Sequence, residues 1–467
     1  MEDGKNFSQN KKLAKGIKFS QNKKLAKGIK FFKKGNYRYA LKLFSAVINS
    51  AVINLNSDND EVYFWRALTR YKLEKYDLAI QDYDEFIKLN PNNANAYNNR
   101  GSAYKMLKKY DQAVKDYEKT IELEPNFAMT YLNLGNIYHE LGKYKHAIWN
   151  FDKAVEVDEN YLTAYFWRGL TYYELKKYDL AIQDFDKIIE LDENYFWAYQ
   201  NRGNSYNQLG EYEIAILDYD KAVEIDPNDA VTYFNRGLVY YNLKKYERAI
   251  QDYDKAVELN PNNANAYNNR GVAYVGLKKY KRAVQDYNKA VEINPNYDMA
   301  YYNRGNAYVD LKQYRRALED YDKAVKIDPN NADYYHNRGS LYCNLEKYEQ
   351  AIKDFNEAIK LKPKFGNFYH SRGLAFIKLK QFERAIKDFN KALQINPRNA
   401  EPYNGRGCAY IDLEQFELAI KDFNKAIQLN PKDGKQYYNR GLCRQNLGDE
   451  EGAKADFEKA KHLGWKN

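Results

Sequence analysis

The sequence is dominated by one 34-residue unit that recurs without insertion from residue 60 to the C-terminus. The copy at residues 230–263 reads AVTYFNRGLVYYNLKKYERAIQDYDKAVELNPNN, and twelve copies follow one another in register. A repeat of fixed length commits every copy to the same local structure, and single copies of this size cannot bury a hydrophobic face alone. The chain is therefore predicted to fold as a stack of similar units.

The pattern within one unit indicates a pair of helices. Apolar residues fall at positions 4, 11, 14, 17, 21, 24, 28 and 30, which gives two helical faces separated by a break near positions 15 and 16. Position 8 is Gly in eleven units and position 20 is Ala in all twelve, so the two helices can approach closely. Position 32 is usually Pro, which ends the second helix. Tyr recurs at positions 4, 11, 17 and 24, where we expect it in the core.

These features resemble the tetratricopeptide repeat family. In the unit at residue 230 the resemblance is carried by Tyr233, Gly237, Tyr240, Ala249, Tyr253, Ala256 and Pro261. It covers roughly nine tenths of the chain and implies an all-α fold, a right-handed α-α superhelix or solenoid of about 13 helical hairpins. The sequence departs from the family at position 4, where Tyr replaces Trp, and at position 7, where Arg replaces Leu in eleven units.

Four segments are expected along the chain. Residues 1–18 form a basic segment, predicted to be poorly ordered or a loosely attached helix, and residues 19–59 a degenerate first repeat. Residues 60–433 are eleven regular units, and residues 434–467 a polar capping repeat in which Lys454 and Lys461 replace apolar residues. Two tandem duplications stand near the start: FSQNKKLAKGIK at 7–18 and 19–30, and SAVIN at 45–49 and 50–54. Five extra residues rotate a helix by about 140°, so the second SAVIN copy should lengthen or distort its helix.

Charge is concentrated at the N-terminus. The net charge is +10, and residues 1–34 contain eleven lysines against two acidic residues, so the repeats are nearly neutral. A neutral array disfavours nucleic acid as the ligand of the repeats. The basic segment leaves an alternative open, an assembly component that docks through its N-terminus on an anionic membrane or on nucleic acid.

The remaining motifs argue against catalysis and against a metal site. There is no phosphate-binding loop and no nucleophile motif, so we expect no enzyme activity and no cofactor. Cys343, Cys408 and Cys443 lack CxxC spacing, which is typical of free thiols in a reducing compartment. His336 and His370 share position 5 near Cys343, but no clustered ligand spacing supports a metal. No apolar run is long enough for a membrane span or a signal peptide, and the expected location is cytoplasmic.

The family resemblance implies a peptide-binding groove lined by positions 2, 5, 6, 9, 12 and 13 of each first helix. Position 6 is Asn in eight units: Asn99, Asn133, Asn201, Asn235, Asn269, Asn303, Asn337 and Asn439. Aromatic residues add Phe166, Trp167, Trp197, Phe234, Tyr173 and Tyr241. Each Asn amide offers a donor and an acceptor, which suits a peptide backbone, and an aromatic anchor would hold one end. We expect a non-catalytic scaffold or adaptor that binds extended segments of partner proteins.

Positions 7 and 23 change together. Eleven units combine Arg at position 7 with Asp at position 23, and the unit with Leu134 carries Asn150 instead. This predicts a partly buried ion pair within each hairpin. The alternative is that both residues face water and vary together because the repeats were copied.

Overall fold

A computed structural model of the chain describes residues 3–50 and 60–465, and regular secondary structure in these ranges is entirely helical. The chain divides into two compact units, Met1–Pro227 (unit 1) and Asn228–Asn467 (unit 2). The distortion predicted for the second SAVIN copy falls largely on residues 51–59, which lie outside the described residues.

The described residues of unit 1 form twelve helices. They are α1 (Asp3–Lys33), α2 (Tyr37–Ile48), α3 (Glu61–Lys72), α4 (Tyr76–Leu89), α5 (Ala94–Met106), α6 (Tyr110–Leu123), α7 (Ala128–Glu140), α8 (Tyr144–Val157), α9 (Leu162–Glu174), α10 (Tyr178–Leu191), α11 (Phe196–Leu209) and α12 (Tyr212–Ile225).

Unit 2 contains fourteen helices. They are α13 (Ala230–Asn242), α14 (Tyr246–Leu259), α15 (Ala264–Gly276), α16 (Tyr280–Ile293), α17 (Asp298–Asp310), α18 (Tyr314–Ile327), α19 (Ala332–Asn344), α20 (Tyr348–Leu361), α21 (Gly366–Lys378), α22 (Phe382–Ile395), α23 (Ala400–Asp412), α24 (Phe416–Leu429), α25 (Gly434–Asn446) and α26 (Glu450–His462).

Each regular repeat is a helical hairpin, as predicted. The first helix occupies positions 1–13 and the second positions 17–30, and the break falls at positions 14–16. Position 15 adopts the left-handed backbone conformation in every repeat from residue 60 onward, although nine of these residues are Lys or Glu, for example Lys244 with φ 58°. A non-glycine residue in this region is strained, so the tight connection is made against local preference. Asn and Asp side chains cap the N-termini of several first helices. Asp229 Oδ2, for instance, accepts a hydrogen bond of 2.6 Å from the backbone N–H of Thr232.

The core of a hairpin is an aromatic ring packed over a glycine. Tyr253 at position 24 and Ala249 at position 20 are both 0% exposed. A Cβ atom on Gly237 at position 8 would lie 2.8 Å from Cε1 of Tyr253, so this glycine is required by the ring rather than by the backbone. The expectation that all the recurrent Tyr residues are core is wrong for most of them, because Tyr at positions 4, 11 and 17 is generally half-buried and only position 24 is consistently enclosed.

The repeats stack through their helices in a fixed order. Within each unit the second helix of one hairpin packs against the first helix of the next. Consecutive first helices also touch, for example α15 with α17 and α21 with α23, whereas consecutive second helices of the described chain make no comparable contact. The first helices therefore line the shorter, inner side of each unit. We call positions 2, 5, 6, 9, 12 and 13 of these helices the inner face.

The ends of the array are also hairpins. α1 and α2 pack together with the ring of Phe44 against Gly28, so the described helices form thirteen hairpins and the all-α repeat fold is confirmed. α1 continues as one helix through both copies of FSQNKKLAKGIK. The degree of order of residues 1–18 stays a prediction. Lys454 and Lys461 are exposed on α26, the last helix.

Candidate functional site

An ion pair joins the two helices of every hairpin that carries Arg at position 7. In one of them, Arg270 Nε lies 2.9 Å from Asp286 Oδ2 and its terminal nitrogen 2.6 Å from Asp286 Oδ1. The same two-point contact occurs in all eleven such hairpins. The position-23 aspartates are only 2–6% exposed. The predicted ion pair is confirmed and the water-facing alternative is wrong.

The exceptional hairpin lacks the charge altogether. Leu134 is buried at 4% exposure, and Asn150 Nδ2 donates to the carbonyl oxygen of His146 at 2.8 Å. Positions 7 and 23 thus vary together because their side chains are in contact: the hairpin that lacks the arginine also lacks the aspartate.

The same arginine also joins neighbouring repeats, which the sequence reasoning missed. The second terminal nitrogen of Arg270 lies 2.7 Å from Oδ1 of Asp254, at position 25 of the preceding repeat. Equivalent bonds link Arg100 to Asp84, Arg168 to Asp152, Arg202 to Asp186, Arg304 to Asn288, Arg338 to Asp322, Arg372 to Asn356, Arg406 to Asn390 and Arg440 to Asn424. A signal was present: position 25 is Asp or Asn in ten repeats, and it is Glu in the repeat before Leu134 and in the last repeat.

The environment of the arginine holds it charged and fixed. The ring of Tyr267 at position 4 lies under the Arg270 guanidinium, 5.3 Å from its carbon to the ring centroid. Burial acts to lower the pKa of Arg270, but the hydrogen bonds and charges of Asp286 and Asp254 outweigh it and the pKa is raised. Burial raises the pKa of Asp286, against the opposing effect of Arg270. The arginines therefore form a polar spine, in which a first helix is bonded to the second helix of its own repeat and, in nine repeats, to the second helix of the preceding one.

The predicted groove asparagines are half-buried at all eight positions. In unit 2 several of them bond to the preceding repeat. Asn303 Nδ2 donates to Asn268 Oδ1 at 3.0 Å, and Asn268 Nδ2 donates in turn to Asn269 Oδ1 at 3.1 Å. Asn337 Nδ2 donates to the Tyr302 hydroxyl at 2.7 Å. These amide nitrogens are thus engaged within the protein.

The other asparagines are placed differently. Asn439 Nδ2 lies 3.5 Å from Cys408 Sγ of the preceding repeat. In unit 1, Asn201 Nδ2 donates to the carbonyl oxygen of Trp197 at 2.7 Å, one turn earlier on its own helix. The eight residues are therefore not one uniform row.

A pocket opens on the inner face of unit 2 between α17 and α19. Its volume is about 250 Å³, and it is lined by Asn306, Val309, Asp310, Tyr321, Asn337, Ser340, Leu341 and Asn344. The Tyr321 hydroxyl donates to Asn306 Oδ1 at 2.6 Å, and Asn337 Nδ2 reaches the same oxygen at 3.3 Å. One predicted groove residue, Asn337, thus belongs to a built polar pocket.

The predicted aromatic anchor is only partly brought together. Phe166 contacts Trp167 with ring centroids 6.1 Å apart, and Trp167 also contacts His139 at 5.6 Å. Trp197 is 52% exposed, and its ring contact among the described residues is with Phe196 at 4.9 Å. Phe234 belongs to unit 2, where its ring packs against Tyr253 at 5.9 Å. Trp197 is therefore the exposed aromatic side chain of the predicted set.

The two predicted groove tyrosines pack within their own hairpins. The rings of Tyr173 and Tyr178 are 5.4 Å apart, and those of Tyr241 and Tyr246 are 5.6 Å apart. Both pairs join position 12 to position 17 across the connection. Burial raises the pKa of Tyr173 and of Tyr241.

The histidines and cysteines of unit 2 are isolated from one another as ligands. His336 Nε2 lies 2.9 Å from the Ser371 hydroxyl, and burial lowers the pKa of His336. Burial lowers the pKa of His370 to about 4, and it raises the pKa of Cys343 to about 11. The described residues contain no group of three side chains that could together hold a metal ion. No helix in the described part of the chain is both long and apolar enough to cross a membrane.

Comparison with known families gives one consistent result. A model described as "Tetratricopeptide repeat" matches residues 94–127, 163–195, 230–263, 264–297, 299–331, 332–365, 367–399 and 400–433, which is more than half of the chain. Further models of the same repeat match 67–108, 135–176 and 203–244, then 116–148 and 185–216, and finally 436–461. No curated protein matches the sequence.

Several solved structures are similar over part or all of the chain. The MamA protein is 27% identical, with 36% of this chain and 92% of that chain covered and a TM-score of 0.35. YrrB, described as a tetratricopeptide repeat protein with an unusual peptide-binding site, is 26% identical, with 39% and 95% covered and a TM-score of 0.35. Yeast Tom70 is 18% identical, with 87% and 93% covered and a TM-score of 0.39.

The family matches agree with the hairpins. Five of the eight segments matched by the first model begin at the first residue of a first helix in the structure, and the other three, which begin at 163, 299 and 367, start at the second residue of such a helix. Repeats of this family support a protein-interaction scaffold. The chain belongs to the tetratricopeptide repeat family.

Proposed function

We propose that this protein is a non-catalytic scaffold that binds extended segments of partner proteins along the inner face of its first helices, in the cytoplasm. The observation that carries the proposal is the inter-repeat bonding of the inner-face asparagines in unit 2. Asn303 and Asn337 each donate an amide hydrogen to the preceding repeat, and Asn303 keeps its amide oxygen for a ligand.

An extended peptide is the ligand that suits this arrangement. Its backbone N–H groups recur at regular intervals in every sequence, and an Asn oxygen can accept from them. Because Asn268 holds the amide nitrogen of Asn303, the oxygen of Asn303 is oriented before a ligand arrives. Pre-organised acceptors avoid the entropy cost of ordering side chains on binding. The arginine spine adds to this, since it links successive repeats beneath the same helices.

The binding test uses the full chain and peptides selected from a random display library. The affinity of the tightest selected peptide is measured by fluorescence anisotropy for the wild type and for a triple variant, Asn269→Ala with Asn303→Ala and Asn337→Ala. Each lost neutral hydrogen bond costs about 0.5–1.5 kcal/mol, so the triple variant should bind about a hundredfold more weakly.

A matched control separates groove contacts from general loss of asparagine. Asn262, Asn296 and Asn330 are exposed residues of the turns that follow second helices, outside the inner face. Their triple replacement by Ala should leave the affinity within about twofold of the wild type. Equal affinities in all three proteins would show that the peptide binds elsewhere.

One observation favours a second candidate function, docking of α1 on a polyanionic surface. Phe19 is 74% exposed, and Lys15 and Lys23 stand one turn away on either side along the same helix face. An exposed aromatic flanked by lysines suits an anionic membrane or nucleic acid. Binding to phosphatidylserine vesicles or to single-stranded RNA should then weaken steeply with salt and be lost when Lys15, Lys18 and Lys23 become Gln. No binding at low salt would refute this candidate and leave the groove proposal untouched.

A further inference from the structure

We propose that the pocket between α17 and α19 binds a basic side chain, the ammonium of a lysine or the guanidinium of an arginine, in the segment that lies on the inner face of unit 2. This inference rests on the proposed function and adds to it the chemical class of one recognised side chain.

Three of the hydrogen-bond donors in the pocket lining are engaged within the protein. Asn337 Nδ2 donates to Tyr302 Oη at 2.7 Å and to Asn306 Oδ1 at 3.3 Å. The Tyr321 hydroxyl donates to Asn306 Oδ1 at 2.6 Å. The Ser340 hydroxyl donates to the carbonyl oxygen of His336 at 2.8 Å. The donors that the lining still presents to a ligand are the amide nitrogens of Asn306 and Asn344, both of them neutral.

The pocket lining keeps a negatively charged acceptor for a ligand. The Asn337 side chain is engaged with Tyr302, Asn306 and His336, so Asp310 is the main acceptor that remains. Asp310 lies exposed in the pocket lining, and no described residue forms a salt bridge or hydrogen bond with its carboxylate. Its charge acts on the pocket, because it is one of the groups that raise the pKa of Tyr321, after burial and Tyr302. Lys and Arg carry donors and no acceptor, and a charge-assisted bond to a carboxylate is about twice as strong as a neutral one.

The combination of Asn306, the Tyr321 hydroxyl and Asp310 occurs once in unit 2. Asn at position 9 is found in this unit only at Asn306. Position 24 is Phe in all four following repeats, so the hydroxyl that orients Asn306 is missing there. Asp recurs at position 13 as Asp412, which is exposed but has Cys408 rather than Asn at position 9 of its repeat. Asp412 therefore serves as a matched control with the same charge and helix position.

The test uses three capped nonapeptides of alternating Ser and Ala that differ only at the central residue, which is Lys, norleucine or Glu. Norleucine keeps the aliphatic chain and removes the charge. Dissociation constants are measured by fluorescence anisotropy on the full chain at low and at physiological salt. The Lys peptide should bind about fivefold or more tightly than the norleucine peptide, and the Glu peptide most weakly.

Two variants locate the preference. Asp310→Asn should reduce the Lys-to-norleucine ratio to about one, and Asp412→Asn should keep it at about fivefold. Because Asp310 is exposed and forms no ion pair with a described residue, Asp310→Asn should melt at the wild-type temperature, so a changed ratio cannot come from unfolding.

Several outcomes would overturn the inference. Equal binding of the Lys and norleucine peptides to the wild type would refute the pocket and leave the groove function standing. If Asp310→Asn and Asp412→Asn reduced the Lys-to-norleucine affinity ratio equally, the preference would come from the general negative charge of the inner face and not from this pocket. Failure of all three peptides to bind, while the display-selected peptide of the previous section binds, would also refute the pocket, and failure of that peptide as well would refute the groove function itself.

Discussion

Replacing Arg270 by Leu tests the polar spine most sharply. The side chain of Arg270 is 15% exposed and that of Asp286 is 8% exposed, while the second partner, Asp254, is 54% exposed. Removing one partner of a buried pair leaves the other charge without compensation and costs about 3–5 kcal/mol. The exposed bond to Asp254 adds only about 0–1 kcal/mol. Arg270→Leu should therefore destabilise its hairpin by about 3–5 kcal/mol, most of it from the stranded Asp286.

The chain supplies its own control for this experiment. Leu134 and Asn150 occupy the same two positions in one natural hairpin, where the asparagine donates to His146. The double variant Arg270→Leu with Asp286→Asn copies that solution and should recover about half or more of the lost stability. Asp254→Asn should cost about 1 kcal/mol or less.

The assay must report on single hairpins, because a repeat array need not unfold in one step. Amide hydrogen exchange of α15 and α16, read by mass spectrometry, gives the free energy of local opening there. The pH dependence gives an independent check. Without Arg270, the factors that lower the pKa of Asp286 are gone, and burial together with the charge of Asp254 raises it. A carboxyl whose folded pKa is raised stabilises the fold below its unfolded pKa and loses that contribution as the pH rises through the folded value. The cost of Arg270→Leu should therefore shrink as the pH falls from 7 towards 4.

Additive single-variant effects below about 1 kcal/mol would refute the reasoning, because they would mean that the pair behaves like a surface salt bridge. A cost that is unchanged between pH 7 and pH 5 would contradict the assignment of that cost to a stranded Asp286.

Three further predictions concern stability. His370 has a folded pKa of about 4 and no hydrogen-bond partner at Nδ1, so the stability it contributes is present above pH 6.5 and lost as the pH falls towards 4. Wild type should lose about 2 kcal/mol at pH 5 that His370→Phe does not lose, measured by urea unfolding, and identical pH profiles would contradict this. Lys278 has a φ of 57°, so Lys278→Gly should raise the free energy of unfolding by about 1 kcal/mol. Gly210 has a φ of 82°, so Gly210→Lys should lower it by a similar amount. A lower free energy of unfolding in both variants would contradict this. Gly305→Val should cost about 1–3 kcal/mol in thermal unfolding, since a Cβ there lies 2.8 Å from Cε1 of Tyr321, and an unchanged melting temperature would show that the ring yields freely.

The repeat period made most of the fold predictable. Gly237, Ala249 and Tyr253 recur at fixed positions, and the requirement that a ring at position 24 cover a glycine at position 8 is met in nearly every copy. The ion pair was predictable for the same reason, because the single exception at Leu134 and Asn150 changes both residues together. Repetition thus supplies within one chain the co-variation that normally needs many sequences.

The sequence could not predict contacts between repeats so well. The bond from Arg270 to Asp254 spans the interface of two hairpins, and the pattern within one unit does not show which position of the preceding unit will face the arginine. The left-handed residue at position 15 was missed for another reason, since Lys244 gives no local signal of a positive φ.

The candidate site was predictable only as a face. Position 6 identified Asn303 and Asn337 as inner-face residues, but their amide nitrogens turned out to bond to Asn268 and Tyr302 of the preceding repeats. Side-chain hydrogen bonds of this kind depend on rotamers and on the exact stacking of helices, which no periodicity specifies. The number of exposed aromatic side chains in the predicted anchor was overestimated for a similar reason. Phe166 turns towards the core, and only Trp197 is largely exposed.

The most direct measurement of the central claim is hydrogen exchange of the full chain with and without a saturating display-selected peptide. The account predicts slower exchange in the first helices of unit 2, above all α15, α17 and α19, with little change in the second helices α16, α18 and α20, because a ligand on the inner face touches only the former. Protection confined to the second helices, or to α1, would contradict it.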